Sequence, residues 1–249
     1  MTIVPVRSAS LCRRARLLQF CALFLLCSSL AATTCSGQAA NSTSAAESAS
    51  KATTIYKQGV AALQTGDLDS AYAAFEKVVR LAPQSPEGHN SLGWVLLAKD
   101  QVDSAVRQFQ EALHLKPDFV QARINFANAL LRKGDLTRAL RESSEATRLA
   151  PNDSETHRTL GRVLDFSKDF DGAIAEFRRG IELEPQRTEL HDDLGTVLAQ
   201  KSDTQNAEAE FTEALRLQPD FAKAHFHLGV LQFQRQSFTE AAEHLQAAV

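Results

Sequence analysis

Apolar residues in this chain recur on two scales. Within short windows they fall at i, i+3, i+4 and i+7, the spacing of one helix face, and from residue 52 onward the whole pattern returns every 34 residues. Between Ser154 and Ser167 one such face carries Leu160, Gly161 and Leu164; after Asp169 a second carries Ala173, Phe177, Gly180 and Leu183. Each period therefore predicts two helices. The Asp169 carboxylate can accept from the free N–H groups at the second helix's start, and Asp67, Asp135 and Asp203 fill the same slot. Pro83, Pro117, Pro151, Pro185 and Pro219 close the units, because proline cannot donate a hydrogen bond to a further turn. Ser85 followed by Pro86 starts the next helix with a cap and a proline in its first turn.

Other landmarks keep the same period. Ala71, Ala105, Ala139, Ala173, Ala207 and Ala241 form one series, and Phe75, Phe109, Phe177 and Phe211 another. A third is Leu92-Gly93, Leu160-Gly161, Leu194-Gly195 and Leu228-Gly229, with Phe126-Ala127 in the remaining slot. A 34-residue helix–turn–helix with Leu-Gly, Ala, Phe and Pro in this order resembles the tetratricopeptide repeat family. In that family's register the repeats begin at 52, 86, 120, 154, 188 and 222, the last one truncated at 249. The family's Trp at position 4 is absent; Ile55, His89, Arg123, His157, His191 and His225 stand there. The resemblance implies an all-α fold, a right-handed α-solenoid superhelix with first helices lining an inner groove. A single repeat cannot bury its apolar face, so stacking must supply the core.

The N-terminus reads differently. Residues 1–36 combine Arg7, Arg13, Arg14 and Arg16 with an apolar run from Leu17 to Leu30 and then small residues, the grammar of a secretory signal peptide. The apolar core is short of the ~20 residues that span a bilayer. The expectation is an exported protein, periplasmic, cell-envelope or extracellular, whose mature form starts between about residues 32 and 40; an uncleaved anchor is the alternative. Residues 37–51, rich in Ser and Ala, read as a flexible linker. All four cysteines lie in the leader, so residues 52–249 offer neither disulfides nor thiolate ligands. Setting the leader arginines aside leaves 23 basic against 30 acidic side chains, a mildly acidic body without the basic footprint of nucleic-acid binding.

In each first helix, positions 2, 5, 9 and 12 or 13 form a stripe away from the packing positions, and the resemblance implies that this stripe lines the groove. It contributes the candidate peptide-binding residues Asn90, Trp94, Asn128, Arg132, Arg158 and Arg162. Amides can pair with a peptide backbone, arginines with carboxylates, and Trp94 offers a large anchor. Some family members clamp the carboxylate tail of heat-shock chaperones with Lys, Asn, Asn, Lys and Arg over three repeats. Here Arg158, Arg162, Asp193, Lys223 and His227 come nearest, and Asp193 has the wrong charge.

No phosphate loop, His-Glu-x-x-His or Gly-x-Ser-x-Gly motif is present, and the periodic histidines read as packing residues rather than metal ligands. The sequence thus points to a non-enzymatic interaction scaffold that needs no cofactor and binds a protein or peptide, acidic in character. Self-association through the uncapped last repeat is also expected. A second reading makes the repeats the substrate-presenting arm of a larger enzyme such as a protein glycosyltransferase. The stretch Leu115 to Ala127 resembles the repeats of O-linked N-acetylglucosamine transferases, and Val249 falls inside a second helix.

Overall fold

The computed structural model describes residues 39–249, with side chains from residue 47 onward. The leader therefore lies outside the described residues. The described residues fall into two compact units, divided between Ala82 and Pro83. The described part of the first is a helical hairpin of α1 (Ala39–Thr65) and α2 (Leu68–Leu81). Helix α1 starts well before the first repeat and takes in most of the stretch read as a flexible linker. Its alanines explain the difference, since Ala has the highest helix propensity and even a Ser- and Ala-rich segment can extend a helix already nucleated downstream. Within the hairpin a methyl on Gly59 would lie 2.8 Å from Phe75 Cε1, so the glycine permits the close approach.

The second unit stacks five helix pairs. These are α3 (Pro86–Ala98) with α4 (Val102–Leu115), α5 (Val120–Lys133) with α6 (Leu136–Leu149), and α7 (Ser154–Phe166) with α8 (Phe170–Leu183). Then follow α9 (Thr188–Gln200) with α10 (Thr204–Leu217), and α11 (Ala222–Gln234) with α12 (Phe238–Ala247). No strand occurs among the described residues. The caps fall where the sequence places them. Asp135 accepts from the Arg138 N–H, Asp169 from Gly172 and Asp203 from Asn206, while Ser85 accepts from Gly88.

In the second unit each second helix packs against its own first helix, and all but the last also pack against the first helix of the next pair. First helices also touch one another, α3 with α5, α5 with α7, α7 with α9 and α9 with α11. Second helices make no comparable mutual contact, so the first helices form the shorter, inner face of this solenoid. The core is the periodic set: Phe109, Phe177 and Phe211 are fully buried, as are Ala105, Ala139, Ala173 and Ala207. Gly180 shows why position 27 is small, because a methyl there would meet Leu190 Cδ2 of the next first helix at 2.8 Å.

The position-4 side chains act as clasps. In His157 the ring Nε2 sits 2.9 Å from the Pro151 carbonyl of the preceding repeat and Nδ1 lies 2.7 Å from Glu176 on the paired helix. His191 joins Pro185 and Glu210 in the same way, and His89 joins Pro83 and Gln108. Arg123 performs the task where histidine is absent, donating to the Pro117 carbonyl and to buried Glu142. Within the second unit His157, His191 and Arg123 thus tie their repeats to the proline that closes the one before, and no group of metal-ligating residues occurs among the described residues.

Candidate functional site

The inner face of the second unit divides into three rows that run across successive first helices. The first row links position 5 of one repeat to position 6 of the next. Asn125 Nδ2 donates to Asn90 Oδ1 at 2.9 Å, Arg158 Nε to Asp193 Oδ2 at 2.6 Å, and His227 Nδ1 lies 2.7 Å from Asp192 Oδ1. Asp192 is 3% exposed, so its partner is needed to keep a carboxylate there. The remaining rung pairs Ile124 with Thr159 by register, and the buried Thr159 hydroxyl finds no hydrogen-bond partner among the described residues. An apolar residue at one end of a rung leaves the polar residue at the other unsatisfied.

A second row, at positions 12 and 13, also holds bonds between repeats. Arg132 donates to the Leu97 carbonyl at 2.7 Å and to the Asp100 carboxylate, and Gln200 Nε2 donates to Asp165 Oδ1 at 3.0 Å. Burial pushes the Asp165 carboxyl up from its ordinary range, against the lowering effect of Gln200.

Between these rows lies position 9, occupied by Trp94, Asn128 and Arg162 on α3, α5 and α7. The Trp94 indole is 40% exposed. Arg162 Nη1 donates to Asn128 Oδ1 at 3.0 Å. The half-buried arginines Arg123, Arg138, Arg158 and Arg187 each have a carboxylate partner. Arg162 has none within 4.0 Å among the described residues. Burial pulls its pKa below the ordinary value, while Asp193 and, after the opposing effect of Arg158, Asp165 hold it up from a distance.

The six residues chosen from sequence therefore share one face but not one chemical state. Asn90, Arg158 and Arg132 are committed to inter-repeat bonds, so they do not form an open basic patch. Trp94, Asn128 and Arg162 keep free surface or free donors. Sequence reasoning missed Asn125, Asp192 and Asp193 as rung partners. Aligning the repeats would have found them, because complementary residues stand 35 apart at adjacent register positions.

Large apolar side chains are also left uncovered on this face, at Phe166, Phe226 and Phe233. No helix among the described residues is long and apolar enough to cross a membrane.

Comparison with known proteins agrees with the helical repeat fold. Family models described as tetratricopeptide repeat match residues 56–119 and 193–249, 96–163, and 158–187. No curated protein matches the chain. Among solved structures, MamA from Desulfovibrio magneticus RS-1 aligns at 23% identity over 69% of this chain and 97% of its own, with a TM-score of 0.59. Pseudomonas aeruginosa PilF aligns at 18% identity over 80% and 90%, with a TM-score of 0.66. YrrB, described as having an unusual peptide-binding site, aligns at 22% identity over 70% and 90%, with a TM-score of 0.51. At these identities the likeness is one of fold.

Proposed function

This chain belongs to the tetratricopeptide repeat family, and from that premise we propose that it is a non-catalytic scaffold holding a segment of another polypeptide against its inner face. The observation that carries the reading is the central row of that face, where an exposed tryptophan stands beside amide and guanidinium donors that the fold leaves unused. Apolar anchor and fixed donors together suit a peptide, which offers side chains to the one and carbonyl or carboxylate oxygens to the other. The peptide-binding description of YrrB, a protein of similar fold, points the same way.

The proposal extends to location. The arginine-rich, apolar N-terminal segment supports export to the cell envelope or beyond. Mature protein whose N-terminus starts between about residues 32 and 40 would bear out cleavage; intact Met1 in a membrane fraction would indicate an anchor.

The scaffold reading is tested by site-specific photo-crosslinking in the native host. A benzophenone side chain at Phe166 on the inner face should yield a defined adduct with another protein. The same group at exposed Arg107 or Gln110 on α4 should not. Adducts from α4 alone would overturn the inner-face assignment.

A further inference from the structure

Apart from the buried Thr159 hydroxyl, the polar side chains named in the two rows that flank position 9 are bonded across repeats, which restricts where a ligand can be read. Asn90–Asn125, Arg158–Asp193 and Asp192–His227 close one side, and Arg132 and Gln200 close the other. Taking donors from either row would break bonds between repeats. In the row between them, Asn128 uses only its Oδ1, so its Nδ2 hydrogens are free, and Arg162 keeps Nε and Nη2. Every unused polar group there is a donor. Such a strip accepts oxygen ligands and rejects cations and N–H groups.

We propose that Trp94, Asn128 and Arg162 form a three-residue reader for an extended peptide that bears an apolar side chain at one end and a carboxylate at the other. This rests on the reading of the inner face as a peptide site and adds the sequence it selects. The carboxylate belongs on Arg162, the half-buried arginine without an ion-pair partner. Its free Nε–Nη2 edge can donate to both oxygens of a carboxylate in bidentate fashion. Asp193 and Asp165 do not fill that role, since Asp193 is held by Arg158 and Asp165 by Gln200. The apolar side chain belongs on Trp94. Asn128 between them donates to a backbone carbonyl.

The spacing follows from helix packing. Neighbouring first helices lie about 8–10 Å apart, so Trp94 and Arg162 are separated by about 16–20 Å along the row. An extended chain covers about 3.4 Å per residue, which sets the carboxylate about five or six residues from the apolar side chain. The carboxylate can come from an Asp or Glu side chain or from a chain terminus, and both present the same two oxygens.

The test is selection of random twelve-residue displayed peptides on the wild-type protein and on Arg162→Gln. Synthetic peptides from the winners are then titrated against both proteins and against Trp94→Ala. Wild type should enrich peptides with an apolar residue and an acid about five or six positions apart. Arg162→Gln should lose the acid requirement yet keep the apolar one, and affinity for the wild-type winners should fall about tenfold or more. Arg162→Lys should recover part of that loss, because it keeps the charge without the fork. Amidating the peptide C-terminus separates the two carboxylate sources: an unchanged affinity assigns the side chain, a lost one the terminus. Peptides that lose affinity on Trp94→Ala but show the same acid preference on Arg162→Gln would overturn this reader while leaving the inner-face site standing. Peptides indifferent to both substitutions would overturn both.

Discussion

Gly161 faces the ring of Phe177 so closely that a methyl on the glycine would lie 2.6 Å from Phe177 Cε1. The same relation joins Gly93 to Phe109 and Gly195 to Phe211. In the third repeat both members change together: Ala127 stands at the glycine position and Ser143 at the phenylalanine position, and both are fully buried. The extra methyl is tolerated there because the ring is gone.

Restoring only half of that pair should fail. Ser143→Phe in the presence of Ala127 should cost about 1–3 kcal/mol through overpacking. Ser143→Phe combined with Ala127→Gly should recover most of it, giving a coupling of about 1 kcal/mol or more in denaturant unfolding. Simple additivity would mean that the two positions do not meet.

The clasp at Arg123 should matter more than a surface ion pair. Glu142 is 5% exposed, so Arg123→Ala leaves a buried carboxylate with only the exposed Arg141 as donor. The loss should be about 3 kcal/mol, the low end for breaking a buried pair. Arg123→His, which restores the residue found at this position in the flanking repeats, should cost under about 1.5 kcal/mol, and thermal or denaturant melts distinguish the two variants.

Position 15 adopts a left-handed conformation throughout, with Gly66 and Gly134 in two repeats but Asp100, Lys168, Ser202 and Gln236 in the others. Non-glycine residues are strained there. Ser202, with φ 64°, carries only an exposed hydroxyl. Ser202→Gly should stabilise the protein by about 0.5–1 kcal/mol, and Gly134→Ala should destabilise it by a similar amount. The pair can be read in one set of urea curves.

Acid should act in opposite directions on the last two repeats. For His191, burial alone favours the neutral ring, but the Glu210 carboxylate and the Pro185 carbonyl overcome it and raise the pKa above the ordinary 6.5. A raised folded-state value means that this clasp contributes fully below pH 6.5 and fades as pH climbs through the raised value. For His244, burial and the neighbouring His225 lower the pKa. Its Nδ1 lies 2.9 Å from that of His225, an arrangement suited to one shared proton and not to two charges. The contribution of His244 is therefore present above pH 6.5 and lost as pH falls through the depressed value. Hydrogen exchange in α11 and α12 should speed up on moving from pH 7.5 to 5, after correction for intrinsic rates, while α9 and α10 hold or slow. A uniform response would contradict the assignment.

The fold was legible because five prolines, the Leu-Gly pairs and the Asp caps each keep one period, and small residues at fixed positions have a packing reason that needs no partner identity. The site was legible only as a face. Whether Arg158 is free depends on Asp193, which lies 35 residues away in sequence and only one position off in the repeat register; a reading of one helix at a time does not bring them together. The partners of Asn90 and Arg132 were hidden for the same reason. Arg162 keeps its open donors because the residue across from it is a neutral amide. The linker reading differs from the structure on another ground: a Ser- and Ala-rich stretch reads as flexible, and α1 runs through it from Ala39 because Ala favours helix.

Trp94 is the chain's single tryptophan, so its emission reports on the central row without any label. The most direct measurement of the central claim is a fluorescence titration with a peptide selected on the wild-type protein, run alongside calorimetry. Binding should shift the Trp94 emission to the blue, shield it from acrylamide, saturate with the same affinity as the heat signal, and weaken with added salt. Calorimetric binding that leaves Trp94 emission and quenching unchanged would place the ligand elsewhere and contradict the account.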